Sequence, residues 1–158
     1  MTVTRRLNIA LLVLRLSIGS FLFVWASLKF LRPEWMVNVF RGTYKLSWVT
    51  QEYAFFVGGL QMILVVLFIL GAWRTVTYGL TTIMHGTGII GALLSGSLLF
   101  KGGLIKALST GVFKIGYTSF PANLLWTSVA TLGALIALFL LRHHDGFSID
   151  GLRNRKRA

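Results

Sequence analysis

The chain has 158 residues, of which 55% are hydrophobic and only 13% are charged, with 16 Lys and Arg against 4 Asp and Glu. Soluble domains carry about 25% charged residues, so this composition argues against a soluble domain and favours a membrane protein. The net charge of +12 does not indicate a nucleic-acid partner, because the basic residues lie almost entirely between apolar runs, where they face lipid headgroups. Without cysteine, the chain alone makes neither disulfides nor thiolate metal sites.

Four apolar segments are long enough to cross a bilayer, which takes about 20 residues at about 1.5 Å per residue. The sequence predicts helices over about 8–30, 53–73, 75–100 and 121–141. Little more than Ala72-Trp73-Arg74-Thr75 separates the second from the third, so these two form an antiparallel hairpin. We expect the first to be a retained helix, because it is too long for a signal peptide and contains Arg15. The prediction is an all-α integral membrane four-helix bundle over residues 1–142.

Two connections, residues 31–51 and 101–120, mix aromatic, aliphatic and basic residues. This composition is typical of interfacial segments in the headgroup region, and a lid over something held by the bundle is the alternative. Residues 143–158 form a basic tail with His143 and His144, more typical of a solvated anchor than of a site. The cluster Arg153-Asn154-Arg155-Lys156-Arg157 beside the fourth helix predicts that both termini are cytoplasmic.

Polar residues inside apolar segments are costly in lipid and often mark function. Arg15 lies about 10 Å from the inner boundary and His85 about 15 Å from it, by the rise per residue. Gln61 lies about 12 Å from the outer boundary, and Thr131 falls at a similar level. The sequence therefore allows one polar layer with a side chain from every helix.

Each of these residues also has a structural interpretation. Arg15 is able to extend its long side chain to the inner headgroups, and His85 suits a neutral histidine that bonds a neighbouring helix. The alternative for Arg15 is a functional or structural role in the interior of the bundle, and the functional alternative for His85 is a quinone or proton contact. A single intramembrane histidine supplies too few ligands for a metal within one chain, so no metal site is predicted.

Glu52 opens the second helix on the side where Lys29 closes the first, which favours an ion pair between helices, with Arg32 and Arg41 as competing partners. In the third helix, Gly88, Ala92 and Gly96 repeat every four residues. This small-residue stripe suits close packing within the bundle, against a flat ligand ring or against another subunit.

The sequence contains no nucleotide-binding loop, cysteine pair or spaced His/Glu metal set, so no catalytic residue is assigned. Three stretches nevertheless resemble the DoxX-like family. They are Leu14-Arg15-Leu16-Ser17-Ile18-Gly19 followed by Phe23–Phe30; Glu52 with Gly58-Gly59, Leu70-Gly71 and Arg74; and Asp145-Gly146-Phe147-Ser148-Ile149-Asp150-Gly151-Leu152, similar to the family's closing Gly-x-x-Ser-Leu-Asp segment. His85 and the long basic connection before the fourth helix are not part of the family pattern.

The resemblance implies a four-helix bundle of the prokaryotic plasma (inner) membrane, associated with redox systems. One branch of the family is similar to the membrane subunit of thiosulfate:quinone oxidoreductase. For this chain it suggests a subunit that anchors partner proteins and offers a quinone pocket. There, Arg15 and His85 would polarise quinone carbonyls, while Glu52 and Gln61 would relay protons. An enzyme acting alone is not expected, because the chain shows no cofactor motif.

Two other classes of function stay open at this point. One is a purely structural accessory subunit, in which the polar residues only fix helix register. The other is a small-solute transporter, which needs a hydrated route through the bundle. A redox subunit and a structural subunit would have the same expected partners. These are membrane lipids and either other subunits of a complex or further copies of the chain.

Overall fold

A computed structural model describes residues 2–43, 46–94, 112–115 and 118–155. Most of them are helical. The helices are α1 (Val3–Leu31), α2 (Pro33–Thr43), α3 (Gln51–Leu70), α4 (Arg74–Leu94), α5 (Ala122–Leu140) and α6 (Ile149–Arg155). A short antiparallel hairpin of β1 (Val112–Ile115) and β2 (Thr118–Pro121) precedes α5, with Val112 opposite Pro121. A single 3₁₀ turn, Arg142–His144, follows α5.

The prediction of a helical fold is confirmed for the described residues apart from this hairpin. Within the part of the chain that the structure describes, two helices, α1 and α3, are long and apolar enough to cross a membrane. The third predicted helix, residues 75–100, corresponds to α4, and its last six positions lie outside the described residues. Most of the predicted interfacial segment 101–120 also lies outside them.

The four longest helices contact one another in a ring. Helix α1 packs against α3 and α5, and α4 packs against the same two helices. Glycine allows the α1–α3 approach, because a Cβ on Gly19 would overlap Ile69 and one on Gly58 would lie 2.9 Å from Cβ of Lys29. The core between the helices consists of Leu11, Ile18, Leu22, Val65, Phe68, Tyr78, Leu135 and Leu138.

The turn between α3 and α4 depends on a residue in the left-handed conformation. Gly71 ends α3 with φ of 65°, and its N–H donates to the carbonyl of Phe68 over 3.0 Å. The N–H of Ala72 donates to the carbonyl of Leu67 over 3.1 Å, which completes a Schellman cap. This turn lies beside the start of α1, the 3₁₀ turn and α6. We call this the tail end of the bundle.

Helix α2 occupies the opposite end and packs on α1 and α3. It begins at Pro33, whose fixed φ and missing N–H suit the first helical position. Met36 and Val37 are buried, and the Trp35 ring lies 5.7 Å from that of Trp25 on α1. The segment predicted to be interfacial, residues 31–51, therefore contains a helix with one face against the bundle.

Candidate functional site

Arg15 lies at the centre of a polar cluster at the tail end. It is only 2% exposed, because α1 turns this position inward between Leu11 and Ile18 of the core. Its Nη1 atom forms an ion pair with Oδ2 of Asp145. The same atom lies 3.3 Å from the Tyr78 hydroxyl oxygen, and Nη2 donates to the carbonyl of Phe147 over 3.1 Å. Both terminal nitrogens of Arg15 are thus bonded to the protein.

Asp145 is completely buried and is the acceptor of this cluster. Its Oδ2 atom accepts from Arg15 and also from the hydroxyl of Tyr78, over 2.6 Å. A buried ion pair is tolerated when its charges are compensated and further hydrogen bonds support it. In the described part of the chain, Oδ1 of Asp145 and Nε of Arg15 are buried without a hydrogen-bond partner.

A second arginine, Arg74 at the start of α4, holds the segment on either side of Asp145. Its Nη1 donates to the carbonyl of Arg142 over 2.7 Å and to that of Asp145 over 2.9 Å. Its backbone N–H donates to Oδ2 of Asp150 over 2.9 Å, and its Nε lies 3.8 Å from that oxygen. Arg15, Arg74, Tyr78, Asp145 and Asp150 are called the tail-end cluster below.

Backbone contacts complete the attachment of the closing segment. Oδ1 of Asn8 accepts from the N–H of Gly146 over 3.0 Å, which ties the segment to the first turns of α1. The Ser148 hydroxyl donates to the carbonyl of Asp145 over 2.6 Å and accepts from the N–H of Gly151 over 3.1 Å. Residues 145–150, which the sequence places in the basic tail, are therefore bonded to the helix bundle.

His85 lies on α4, further from the tail end along the bundle axis than Arg74 and Tyr78. Its Nε2 is 3.0 Å from the carbonyl oxygen of Ser128 on α5, and its ring meets that of Phe21 edge-on at 6.2 Å. A carbonyl only accepts, so Nε2 carries the proton in this bond, and in the tautomer with a single ring proton Nδ1 is the acceptor. His85 joins α4 to α5 and is half-buried.

The other residues singled out in the sequence do not join these sites. Gln61 is half-buried on α3, while Glu52 is exposed in the first turn of that helix. Lys29 donates to the carbonyl of Trp25 over 3.4 Å, and the described residues contain no Lys29–Glu52 ion pair. Thr131 donates to the carbonyl of Thr127 within α5, over 2.8 Å.

Arg15 and Gln61 lie at different levels of the bundle. Ile69 of α3 lies opposite Gly19 of α1, and Gly58 of α3 lies opposite Lys29 of α1. Because the two helices run antiparallel, the sequence numbers of two residues that face each other add up to about 88. Gln61 is therefore level with Ala26 or Ser27, 11 or 12 residues beyond Arg15, which is about 17 Å along the axis at the helical rise. The single polar layer that the sequence allows is not formed by these two residues.

Sequence analysis missed Tyr78 and did not assign Asp145 or Asp150 to a site. A signal was present, because only four carboxylate side chains balance 16 basic ones and two of the four lie in the closing segment. A carboxylate in so basic a chain is an expected partner for a buried arginine such as Arg15. No sequence pattern, however, indicates that the segment folds back onto the bundle.

The chemistry of the tail-end cluster is that of a structural attachment. The groups of Arg15, Tyr78 and Asp145 bond one another and are buried, whereas Arg74 and Asp150 lie at the edge of the cluster, where Asp150 is partly exposed. In comparisons with known proteins, no family model, no curated protein and no solved structure matches this chain.

Proposed function

We propose that this chain is an integral membrane protein that crosses the bilayer with its four long helices. The supporting observation is the apolar outward surface of the ring. In α1 and α3 the most apolar 18-residue windows are only 33% and 22% buried, whereas the core helix of a soluble protein is mostly buried. Large apolar residues are exposed along all four helices, among them Val13, Val24, Phe56, Ile63, Leu80, Ile83, Val129 and Ile136. Lipid is the solvent that suits such a surface.

The contacts of α1 support its retention in the mature chain. An apolar helix near the N-terminus is also expected of a signal sequence. Here, however, Arg15 bonds Asp145 across 130 positions of the chain, and Asn8 bonds Gly146 across 138. Removal of α1 would leave Asp145 buried without its cation.

Within this proposal, the chain is a DoxX-like subunit that anchors partner proteins of a redox complex in the plasma membrane. The tail-end cluster supports the family assignment. It joins Arg15, Gly71, Arg74 and the closing segment, which the resemblance identified as separate stretches, at one place. When separate stretches of a family pattern meet in the fold, we expect their residues to serve one common structural purpose.

The geometry favours anchoring over a quinone site at Arg15. Arg15 is buried and both of its terminal nitrogens have partners inside the protein, so it does not face an open pocket. His85 retains an acceptor nitrogen and lies beside the Phe21 ring, so it is the residue through which a quinone link would act. A role as a purely structural accessory subunit uses the same contacts without that link.

Gly88 is the position at which anchoring is best tested. A Cβ on Gly88 would meet nothing within 4 Å, so this glycine of the predicted small-residue stripe leaves space beside α4 that the described chain does not fill. Gly59 on α3 is equally open and provides a matched control. We expect Gly88→Leu to fold normally and to lose a co-purifying partner, while Gly59→Leu keeps it.

The experiment is mild detergent extraction of the tagged chain at native expression, followed by mass spectrometry of bound proteins and quinone. A stoichiometric oxidoreductase subunit with the parent chain and its loss with Gly88→Leu would support the proposal. A parent chain that brings down no protein would overturn the anchoring role. Equal quinone content in the parent and His85→Phe would overturn the quinone link alone.

Topology is tested separately, and the absence of cysteine makes this simple because every label reports an introduced residue. Asn38 on α2 and Asn154 on α6 are both exposed. An impermeant maleimide should label Asn38→Cys in intact cells and Asn154→Cys only after permeabilisation. Labelling of both positions in intact cells would contradict four spans with internal termini.

A further inference from the structure

An open cleft of about 530 Å³ lies at the tail end, between the start of α4 and helix α6. It adjoins the tail-end cluster but opens to the outside, whereas Asp145 is fully buried. Its lining combines basic, polar and apolar side chains: Trp73, Arg74, Thr75, Val76, Arg142, His143, Asp150, Arg153 and Asn154.

The charges of the cleft are unbalanced. Its one carboxylate, Asp150, accepts from the backbone of Arg74 and lies 3.8 Å from Nε of the same residue. The two ion pairs of the described residues involve Arg15 and Arg74, so neither Arg142 nor Arg153 has a carboxylate partner there. An anion is therefore the kind of ligand that complements the charge of the cleft.

Arg142 is held in place without losing its charge. Its Nε donates to the hydroxyl of Thr75 over 3.2 Å, and its Nη1 donates to the carbonyl of Phe139 over 2.9 Å. Its guanidinium carbon also lies 4.4 Å from the centroid of the Phe139 ring. Neutral partners fix the position of this cation, which reduces the entropy lost when it binds an anion.

The other side of the cleft is apolar and leads onto the outward face of α4. Trp73 is 65% exposed and Val76 is 56% exposed, and the exposed residues Leu80 and Ile83 follow on the same helix. A tryptophan at the end of an apolar helix face is typical of the membrane–water interface. The cleft thus offers cations to a headgroup and a continuous apolar surface to a hydrocarbon chain.

We propose that this cleft binds the phosphate headgroup of an anionic phospholipid. Arg142 and Arg153 contact the phosphate, Trp73 lies at the level of the glycerol, and an acyl chain follows Val76 and Leu80 along α4. The inference rests on the proposed membrane location of the chain. It goes further in assigning one lipid class to one site.

The test is native mass spectrometry of the detergent-solubilised chain, titrated with phosphatidylglycerol or phosphatidylcholine. We expect the parent to bind phosphatidylglycerol more tightly. A surface arginine contributes about fivefold to the binding of anionic lipid, so Arg153→Gln should weaken it about fivefold and Arg142→Gln with Arg153→Gln about 25-fold. Arg153→Lys should retain most of the affinity.

The matched control is Arg6→Gln, which removes one exposed arginine from the same end of the bundle but outside the cleft. It should change the affinity by less than about twofold, since a defined site depends on its own cations more than on the net charge. An equal loss with Arg6→Gln and Arg153→Gln would overturn the site in favour of general surface attraction.

Two further arms separate lipid binding from binding of a free anion and from a loss of folding. Equal affinity for phosphatidylcholine, or displacement of the lipid by inorganic phosphate at equal concentration, would overturn the proposed lipid class. If Arg142→Gln lowers thermal stability, the double variant Arg153→Gln/Trp73→Ala is used to test lipid binding instead, because both of these side chains are exposed. The cysteine-labelling experiment reports membrane insertion independently, so loss of lipid binding in a correctly inserted chain counts against this site alone.

Discussion

The two ends of the helix bundle are held together by different forces. At the tail end, buried charged and polar side chains join residues up to 138 positions apart. At the opposite end, the contacts between α2, α1 and α3 are mainly aromatic, such as Trp25–Trp35 and Phe40–Tyr53, whose ring centroids are 5.7 and 6.3 Å apart. Removing one partner of a buried charged hydrogen bond leaves the other unsatisfied, whereas a pair of rings contributes only about 0.5–1.5 kcal/mol beyond its burial. The tail end should therefore respond more sharply to single substitutions.

The largest difference is expected from the carboxylates. Asp145→Ala leaves Arg15 buried without a counter-charge and should lower the free energy of unfolding by about 3–5 kcal/mol. Glu52→Ala removes an exposed carboxylate at the opposite end and should change it far less. Unfolding by SDS titration from mild detergent measures both. Arg15→Met combined with Asp145→Ala should be more stable than Asp145→Ala alone, and the reverse order would contradict a penalty from buried charge.

A glycine pair gives the next contrast. Gly71→Ala places a Cβ at φ of 65°, against Ser148 and Nη1 of Arg15, and should lower the unfolding free energy by about 2–3 kcal/mol. Gly59→Ala adds a methyl group to open space within a helix, where alanine is favoured by about 0.5–1 kcal/mol. The same SDS titration should therefore show opposite signs. Two destabilised variants would show that α3 does not tolerate alanine at either position.

Removal of one hydroxyl is the third comparison. Tyr78→Phe deletes a hydrogen bond to the Asp145 carboxylate, and a bond to a charged group is worth about 1.5–3 kcal/mol. Tyr53→Phe, at the opposite end, keeps the ring contacts with Phe40 and Trp48 and should cost less than about 0.5 kcal/mol. Thermal unfolding in the same detergent compares them. Equal losses would indicate that the ring of Tyr78, and not its hydroxyl, stabilises the cluster.

The smallest effect is expected at Asn8. The N–H of Gly146 donates to Oδ1 of Asn8 and also to the carbonyl of His144, over 2.9 Å, so Asn8→Ala removes one of two acceptors and should cost about 1 kcal/mol or less. Its local consequence is easier to measure than the global one. Hydrogen exchange of the Gly146 amide should become faster in the variant, while the amide of Val65 in the core of α3 stays protected. Unchanged exchange at Gly146 would mean that the remaining bond to the carbonyl of His144 is enough to protect this amide.

Much of the secondary structure could be predicted from hydrophobic runs, because runs of about 20 apolar residues have few alternatives to a helix. The inward position of Arg15 was one of two open interpretations. Its partner could not be found from the sequence, since the position of Asp145 depends on a reversal of the chain after α5. The predicted layer at Arg15 and Gln61 failed because span boundaries uncertain by a few residues shift estimated depths by several ångströms.

The pairing of Arg15 with Asp145 also imposes an order on biosynthesis. Asp145 lies 130 positions after Arg15. At about 5–20 residues per second, Asp145 is synthesised roughly 7–26 s after Arg15, which has no carboxylate partner during that interval. Tyr78 reaches the ribosome exit about halfway through that interval and is the first cluster partner available to it. The closing segment around Asp145 therefore completes the environment of α1. A transcript that ends shortly after α5 would encode all four long helices yet leave α1 with an unpaired charge.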